Sequence, residues 1–361
     1  MVKQPSIKAP RPRAAVREMS PYVPPTGGRA GKLRLDFNEN TVGCSPRVLR
    51  ALKKHATREL LSVYPEYEAA RQAVAPFFGV KPEQMTFSDG TDEAIQVLAN
   101  TYVDDGDEAV IPWPTFPIFR VAVELAGGTP RFIPYVEPDL AFPLRELLKS
   151  ITRKTRLVLI ANPNNPTGSA IGLAEIEKIL RKARRAAVLI DEAYFEFYGV
   201  TALKLLTRYP NLFVSRTFSK VYGMAGLRIG CLFSQAENIR AFRKVQSPYS
   251  VNSLAVICAI EAIQDQDYIQ TYVDEVLESR DILRSGLDRL GLPYFATEAN
   301  FVLVKFGARA TGVYQGLREK GVLVRDRSHE VQGTIRITAG KKPQVRKLLQ
   351  LLPKVMKSCG Y

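Results

Sequence analysis

The sequence predicts an α/β protein, with a mostly parallel central sheet sandwiched by helices and a smaller α/β domain beside it. Three observations carry this. Short, continuous apolar runs alternate with helical patterns through the middle of the chain, as strands do when helices cover both faces of their sheet. Near residue 253 the texture changes to longer helices succeeded by two isolated strand patterns. Finally, 361 residues exceed what one core commonly holds, so two domains of roughly 150 residues each are expected.

Along the chain, Glu108–Ile111, Leu157–Ala161, Ala187–Ile190 and Asn211–Val214 read as strands, and residues 93–103 and 173–185 have helical spacing. Residues 253–263 and 267–290 read as helices, the second with Val273, Val276, Leu277, Leu283 and Leu287 on an apolar stripe. The segment 299–305 is strand-like, 311–320 helical and Thr334–Thr338 strand-like, and a last helix closes the chain.

Charge and composition exclude several classes. The net charge is +15, but residues 1–17 and 331–361 hold twelve basic and no acidic residues, leaving +3 for residues 18–330. That points to a solvated basic tail and a basic last helix rather than a nucleic-acid-binding face. No apolar run approaches the ~18 residues of a membrane span, and the basic N-terminus lacks the apolar stretch of a secretory signal. Cys44, Cys231, Cys258 and Cys359 are scattered, and with His55 and His329 as the only histidines a metal site is not expected. A reducing, cytoplasmic location fits.

Each apolar strand leads into a polar segment. Leu157–Ala161 runs into Asn162-Pro-Asn-Asn-Pro-Thr-Gly168. Ala187–Ile190 ends in Asp191-Glu-Ala-Tyr194. The fourth strand leads into Ser215-Arg-Thr-Phe-Ser-Lys220, with Arg228 eight residues on. Ligands of open α/β sheets sit outside the carboxyl ends of the strands, so these groups are expected to converge. Gly90-Thr91-Asp92 opens a helical pattern and is a candidate phosphate cradle, although the same residues would serve as an ordinary cap. Gly27-Gly-Arg-Ala-Gly-Lys32 fails as a P-loop because Leu33 stands where Ser or Thr should be, and no dinucleotide-binding glycine motif is present.

A lysine, a strand-end aspartate, an amide, a tyrosine and a phosphate cradle together fit pyridoxal 5′-phosphate. Lys220 is the expected Schiff-base lysine and proton shuttle. Asp191 would pair with the pyridinium nitrogen, and Asn165 and Tyr194 with the ring oxygen. Phe116 would stack on the ring. Gly90, Thr91, Asp92, Thr217, Ser219 and Arg228 would hold the phosphate. A lone lysine is usually a solvated surface residue, so the assignment rests on the ordered set.

On these motifs the chain resembles the fold-type I, pyridoxal-phosphate-dependent aminotransferases of the class I/II superfamily. Within them it is most similar to the histidinol-phosphate aminotransferases, through Pro21-Tyr-Val-Pro24, Leu35-Asp-Phe-Asn-Glu-Asn40, Tyr64-Pro65, Gly90–Glu93, Ala225–Arg228, Ala299–Leu303, Val324–Asp326 and Ile335–Thr338. The resemblance implies a homodimer in which Tyr64 reaches the partner's cofactor phosphate. It also implies a substrate-anion site at Arg336 and Arg325, and an N-terminal arm whose Tyr22 closes over the substrate. It further implies a ping-pong exchange between an amino donor and a 2-oxo acid acceptor, with no nucleic acid or membrane as partner. The expected division is a tail (1–20), an arm forming part of the small domain (21–49), a large cofactor-binding domain (50–248) and a small C-terminal domain (249–361). Thr41 stands where the family commonly has proline, Val63 precedes Tyr64, Phe116 replaces a common tyrosine, and the segment Asp326–Thr334 is short. Rival readings are an aromatic amino-acid aminotransferase, a phospho-amino-acid decarboxylase that would need no oxo acid, and a cofactor-sensing regulator that would need a DNA-binding domain.

Overall fold

The computed structural model describes residues 10–360. Its centre is a seven-stranded sheet. From edge to edge the strands are Met85–Ser88, Gly230–Phe233, Leu212–Thr217, Ala187–Asp191, Thr155–Ala161, Glu108–Trp113 and Thr129–Pro134. All neighbouring pairs are parallel except those made by Gly230–Phe233, which runs against both its neighbours. Val188, Leu189 and Ile190 are all sealed from solvent, so both faces of the sheet are covered and the strand reads as an unbroken apolar run.

The four expected strands are present, and three more flank them. Physical reasons hide these three from a pattern search. Thr129–Pro134 is an edge strand with Pro130 and Pro134 in it, a composition tolerated only where no ladder partner is needed on one side. Met85–Ser88 and Gly230–Phe233 have four residues each, too few for a periodic signal. Gly230 is also required sterically, because a Cβ there would lie 2.9 Å from the Arg216 carbonyl oxygen and 3.0 Å from the Gly90 backbone. The helix Gly90–Tyr102 is thereby drawn tightly onto the sheet.

A second, antiparallel sheet orders Arg325–Asp326, Thr334–Thr338 and Phe301–Lys305. Beside it, Leu33–Arg34 pairs in parallel with Val322–Leu323, so an N-terminal segment joins the C-terminal body. Leu35 packs there with Val302, Val304, Leu317, Ile337, Leu348 and Leu352. The helix Ser253–Ile263, capped by Asn252 accepting from the Ala255 N–H at 2.8 Å, packs into the larger core instead. The long helix Gln266–Arg289 serves both cores. Ile269, Tyr272, Val273 and Val276 face the first, and Leu283 and Leu287 the second. The larger core therefore extends past residue 249.

Candidate active site

The carboxyl ends of the central strands open into a cavity of about 560 Å³, within the range of small-molecule sites. Thr91, Asp92, Phe116, Asn165, Asp191, Tyr194, Thr217, Ser219, Lys220 and Arg228 line it, as do Tyr22, Arg325 and Arg336. Gly90 lies immediately behind Arg228. Its φ is +68°, and a Cβ would come within 2.4 Å of the Arg228 guanidinium, so only glycine lets that group lie across the helix start. Of the expected site residues, Tyr64 alone lies away from the cavity. It is 75% exposed and stacks on Tyr249, with ring centroids 4.4 Å apart.

Asp191 ends its strand 4% exposed and accepts a hydrogen bond from the Ser215 hydroxyl at 2.8 Å. Burial drives its pKa up to about 7. The Ser215 hydrogen bond lowers it, Asp92 and Glu192 raise it further, and Lys220 lowers it. This buried carboxylate facing a cavity suits a cationic ring nitrogen. The loop is fixed from behind by Glu192, which takes Arg216 at 2.7 Å, the Ala202 N–H at 2.6 Å and the Thr201 hydroxyl at 2.9 Å.

The Lys220 ammonium donates to the Phe37 carbonyl at 2.9 Å and sits 5.9 Å from the Tyr194 ring centre. The Tyr194 hydroxyl accepts from Asn38 Nδ2 at 2.9 Å, and its ring packs edge-on to Phe301. The amide turn is built by Asn164, buried, which accepts from Thr115 at 2.6 Å and donates to the Pro114 carbonyl and to Thr167. The turn presents Asn165, whose Oδ1 accepts from Arg336 Nη1. Arg228, in a left-handed conformation at φ 54°, donates to Asp92 at 3.0 Å, and Thr217 Oγ1 accepts the Ser219 N–H at 3.1 Å. The free N–H groups of the helix Gly90–Tyr102, the hydroxyls of Thr91, Thr217 and Ser219, and Arg228 thus surround one end of the cavity. That donor set suits a phosphate.

At the other end Arg336 is 4% exposed. One of its terminal nitrogens donates to the Asp36 carbonyl, while its Nε has no hydrogen-bond partner. Burial first, and then repulsion from Arg327, lowers its pKa to about 10. A buried guanidinium with an unused donor calls for an anion.

Sequence reasoning missed several lining residues: Arg29, Phe37, Glu39, Arg327, Pro24 and Thr26. Arg29 comes from the segment rejected as a P-loop. It bonds Asp36 at 2.9 Å and Glu39 at 3.1 Å, with its guanidinium 4.2 Å from the Phe37 ring centre. These ties fasten the N-terminal segment to residues 36–39 and so wall the cavity. The available signal was an arginine close in sequence to the acidic pair of Leu35–Asn40.

Residues 30–352 match the family described as aminotransferase class I and II. The chain belongs to that family. It is 34% identical over 363 residues to histidinol-phosphate aminotransferase 2 of Carboxydothermus hydrogenoformans, covering 95% of this chain and 99% of the relative. It is 33% identical to the histidinol-phosphate aminotransferase of Moorella thermoacetica, covering 98% and 95%. Among solved structures, the histidinol-phosphate aminotransferase of Sinorhizobium meliloti in complex with pyridoxal 5′-phosphate superposes with a TM-score of 0.89 at 27% identity, covering 97% of this chain and 99% of that one. The fold is that of the fold-type I aminotransferases, and the protein is a pyridoxal-phosphate-dependent aminotransferase working on an amino donor and a 2-oxo acid. Among the described residues no helix is long and apolar enough to cross a membrane.

Proposed function

We propose that this aminotransferase exchanges the amino group of histidinol phosphate with 2-oxoglutarate. One observation carries the reading. The cavity that holds Lys220 also holds a buried arginine, Arg336, with an unbonded Nε, placed to take the phosphate of one substrate or a carboxylate of the other in turn. The names of the full-length relatives support the same substrate.

When bound, pyridoxal phosphate accepts the electron pair left as the substrate α-carbon loses its proton. The chain supplies the rest. Lys220 would hold the cofactor between turnovers, and its freed amine would take the substrate α-proton and give it back. Asp191 would pair with the ring nitrogen and favour its protonated form. Asn165 and Tyr194 would hydrogen-bond the ring oxygen, Phe116 would lie against the ring, and Gly90, Thr91, Asp92, Thr217, Ser219 and Arg228 would hold the phosphate. Arg336 and Arg325 grip the substrate anion under Tyr22.

The exposed Tyr64–Tyr249 stack, next to Leu61 and Val63, supports a homodimer in which Tyr64 reaches the neighbouring cofactor. Sedimentation should give a single species of twice 40.3 kDa, and a monomer at micromolar concentration would remove this part of the reading. In the same reading a large cofactor-binding body and a smaller body built from both ends of the chain are joined by the helix Gln266–Arg289, which packs into both cores.

A half-reaction screen tests the substrate. Adding histidinol phosphate or glutamate to the holoenzyme should shift the cofactor's visible absorbance to that of the aminated form. Conversion by phenylalanine but not by histidinol phosphate would make the protein an aromatic amino-acid aminotransferase, a substrate the aromatic lining of Phe37, Phe116 and Tyr22 could also seat.

A further inference from the structure

The short segment Asp326–Thr334 places a third arginine in the anion end of the cavity. Arg325 and Arg336 are register partners across the antiparallel pair. Side chains at i and i+2 of an extended chain share a face, so Arg327 falls on the side that Arg325 and Arg336 occupy. All three line the cavity, whereas Asp326 turns away and caps the Ser328 N–H at 2.9 Å. The turn is fixed by the Arg327 N–H donating to the Thr334 carbonyl. The Arg327 carbonyl accepts from the N–H groups of Glu330 and Val331, each of the three bonds being 2.9 Å.

Arg327 is 2% exposed and ion-paired with Glu330, whose side chain is 4% exposed. Its Nε has no hydrogen-bond partner. Burial, and then Arg325, lower its pKa, while Glu330 and Tyr22 raise it. Among the described residues Glu330 is the only carboxylate paired with any of the three arginines, and the exposed His329 lies 3.5 Å from its other oxygen. Arg29 nearby is already occupied by Asp36 and Glu39. Of the three guanidiniums, Arg325 and Arg336 are thus left without a carboxylate partner among the described residues. A phosphate monoester, carrying between −1.5 and about −2 near neutral pH, meets them, and a single carboxylate meets only one.

We propose that Arg327, held by Glu330 as a positioning residue, is a specificity determinant that favours substrates bearing a phosphate monoester over substrates bearing one carboxylate. This deepens the proposed substrate and rests on that reading. The test measures half-reactions of the holoenzyme with histidinol phosphate and with phenylalanine, for the wild type, Arg327→Gln and the double variant Arg327→Gln/Glu330→Gln. The double variant leaves no buried carboxylate unpaired, so it keeps the test valid if the single variant folds poorly. The kcat/KM ratio of histidinol phosphate over phenylalanine should fall roughly 10- to 100-fold, mostly through KM. In the wild type KM for histidinol phosphate should improve as pH rises through about 6, where the phosphate takes its second charge, and this step should shrink in both variants. An unchanged ratio with an unchanged pH step overturns the proposal. Should the wild type not accept histidinol phosphate at all, the substrate reading fails by itself. Inorganic phosphate, competing against phenylalanine, then decides on Arg327. A Ki weakened about tenfold or more in the double variant supports its role, and an unchanged Ki overturns it.

Discussion

Replacing Lys220 with alanine should abolish turnover, a fall of at least about 10⁴-fold, with no loss of fold. The Lys220 ammonium is tied to the protein through the Phe37 carbonyl, a single neutral acceptor, so its removal costs the structure little. Its chemical loss is double. The variant has no amine with which to carry the cofactor, and none to take the α-proton from the substrate. The variant should also lose the visible absorbance of lysine-linked cofactor while its melting behaviour without cofactor stays close to the wild type's. Asn38, Tyr194 and Asp191 would still stand around the site, so cofactor could enter without being retained covalently. Full turnover in Lys220→Ala would remove the assignment. A variant that is inactive because it unfolds would be recognised by circular dichroism, and Lys220→Arg, which keeps the cation and the contact, should then be equally inactive but folded.

How far the chemistry could be read from the chain depended on whether each residue acts locally. Asp191, Asn165, Thr217, Ser219 and Lys220 lie at or just beyond the ends of apolar strands, and a parallel sheet aligns those ends on one side. Knowing the strands was enough to bring these residues together. Arg228 and Gly90 are joined by the approach of Gly230 to the start of the helix, which spacing alone does not show. Arg29 and Arg327 were missed for a different reason. Each is polar and lies in a short irregular segment, where a solvated turn is the ordinary reading. Arg29 is turned inward by its ties to Asp36 and Glu39. Arg327 is turned inward by its hairpin register, and the alternation Arg-Asp-Arg beside the strand Thr334–Thr338 was the available sign. Tyr64 lies exposed on the surface, stacked on Tyr249, and no periodicity or strand end in the sequence marks its distance from the cavity. The missed edge strand Thr129–Pro134 shows the same limit, since prolines are permitted there only because the strand has one neighbour.

Asp191→Asn should separate the role of this group in catalysis from its cost to folding, with opposite signs in the two states of the protein. Without cofactor the carboxyl titrates near 7, against 3.8 for an ordinary aspartate, because burial disfavours its charge. A folded-state pKa raised in this way means that the native state holds its proton more firmly than the unfolded chain does. Stability from this site is therefore full below about pH 4 and is lost as pH rises to about 7, the limit being about 4 kcal/mol. The asparagine has no such titration and can still accept from Ser215. The cofactor-free variant should consequently match the wild type near pH 4 and melt increasingly above it as pH rises to about 8. With the cofactor bound the order should reverse. A protonated ring nitrogen gives the wild-type carboxylate the cation it lacks, whereas the amide cannot hold that proton in place. Cofactor affinity should fall, and turnover should drop on the order of 10²- to 10³-fold, as when a group aimed at developing charge is removed. Melting curves of both proteins between about pH 4 and pH 8, with and without cofactor, decide the matter. A stability difference that ignores both pH and cofactor would mean that Asp191 is a structural strand-end residue and faces no cation.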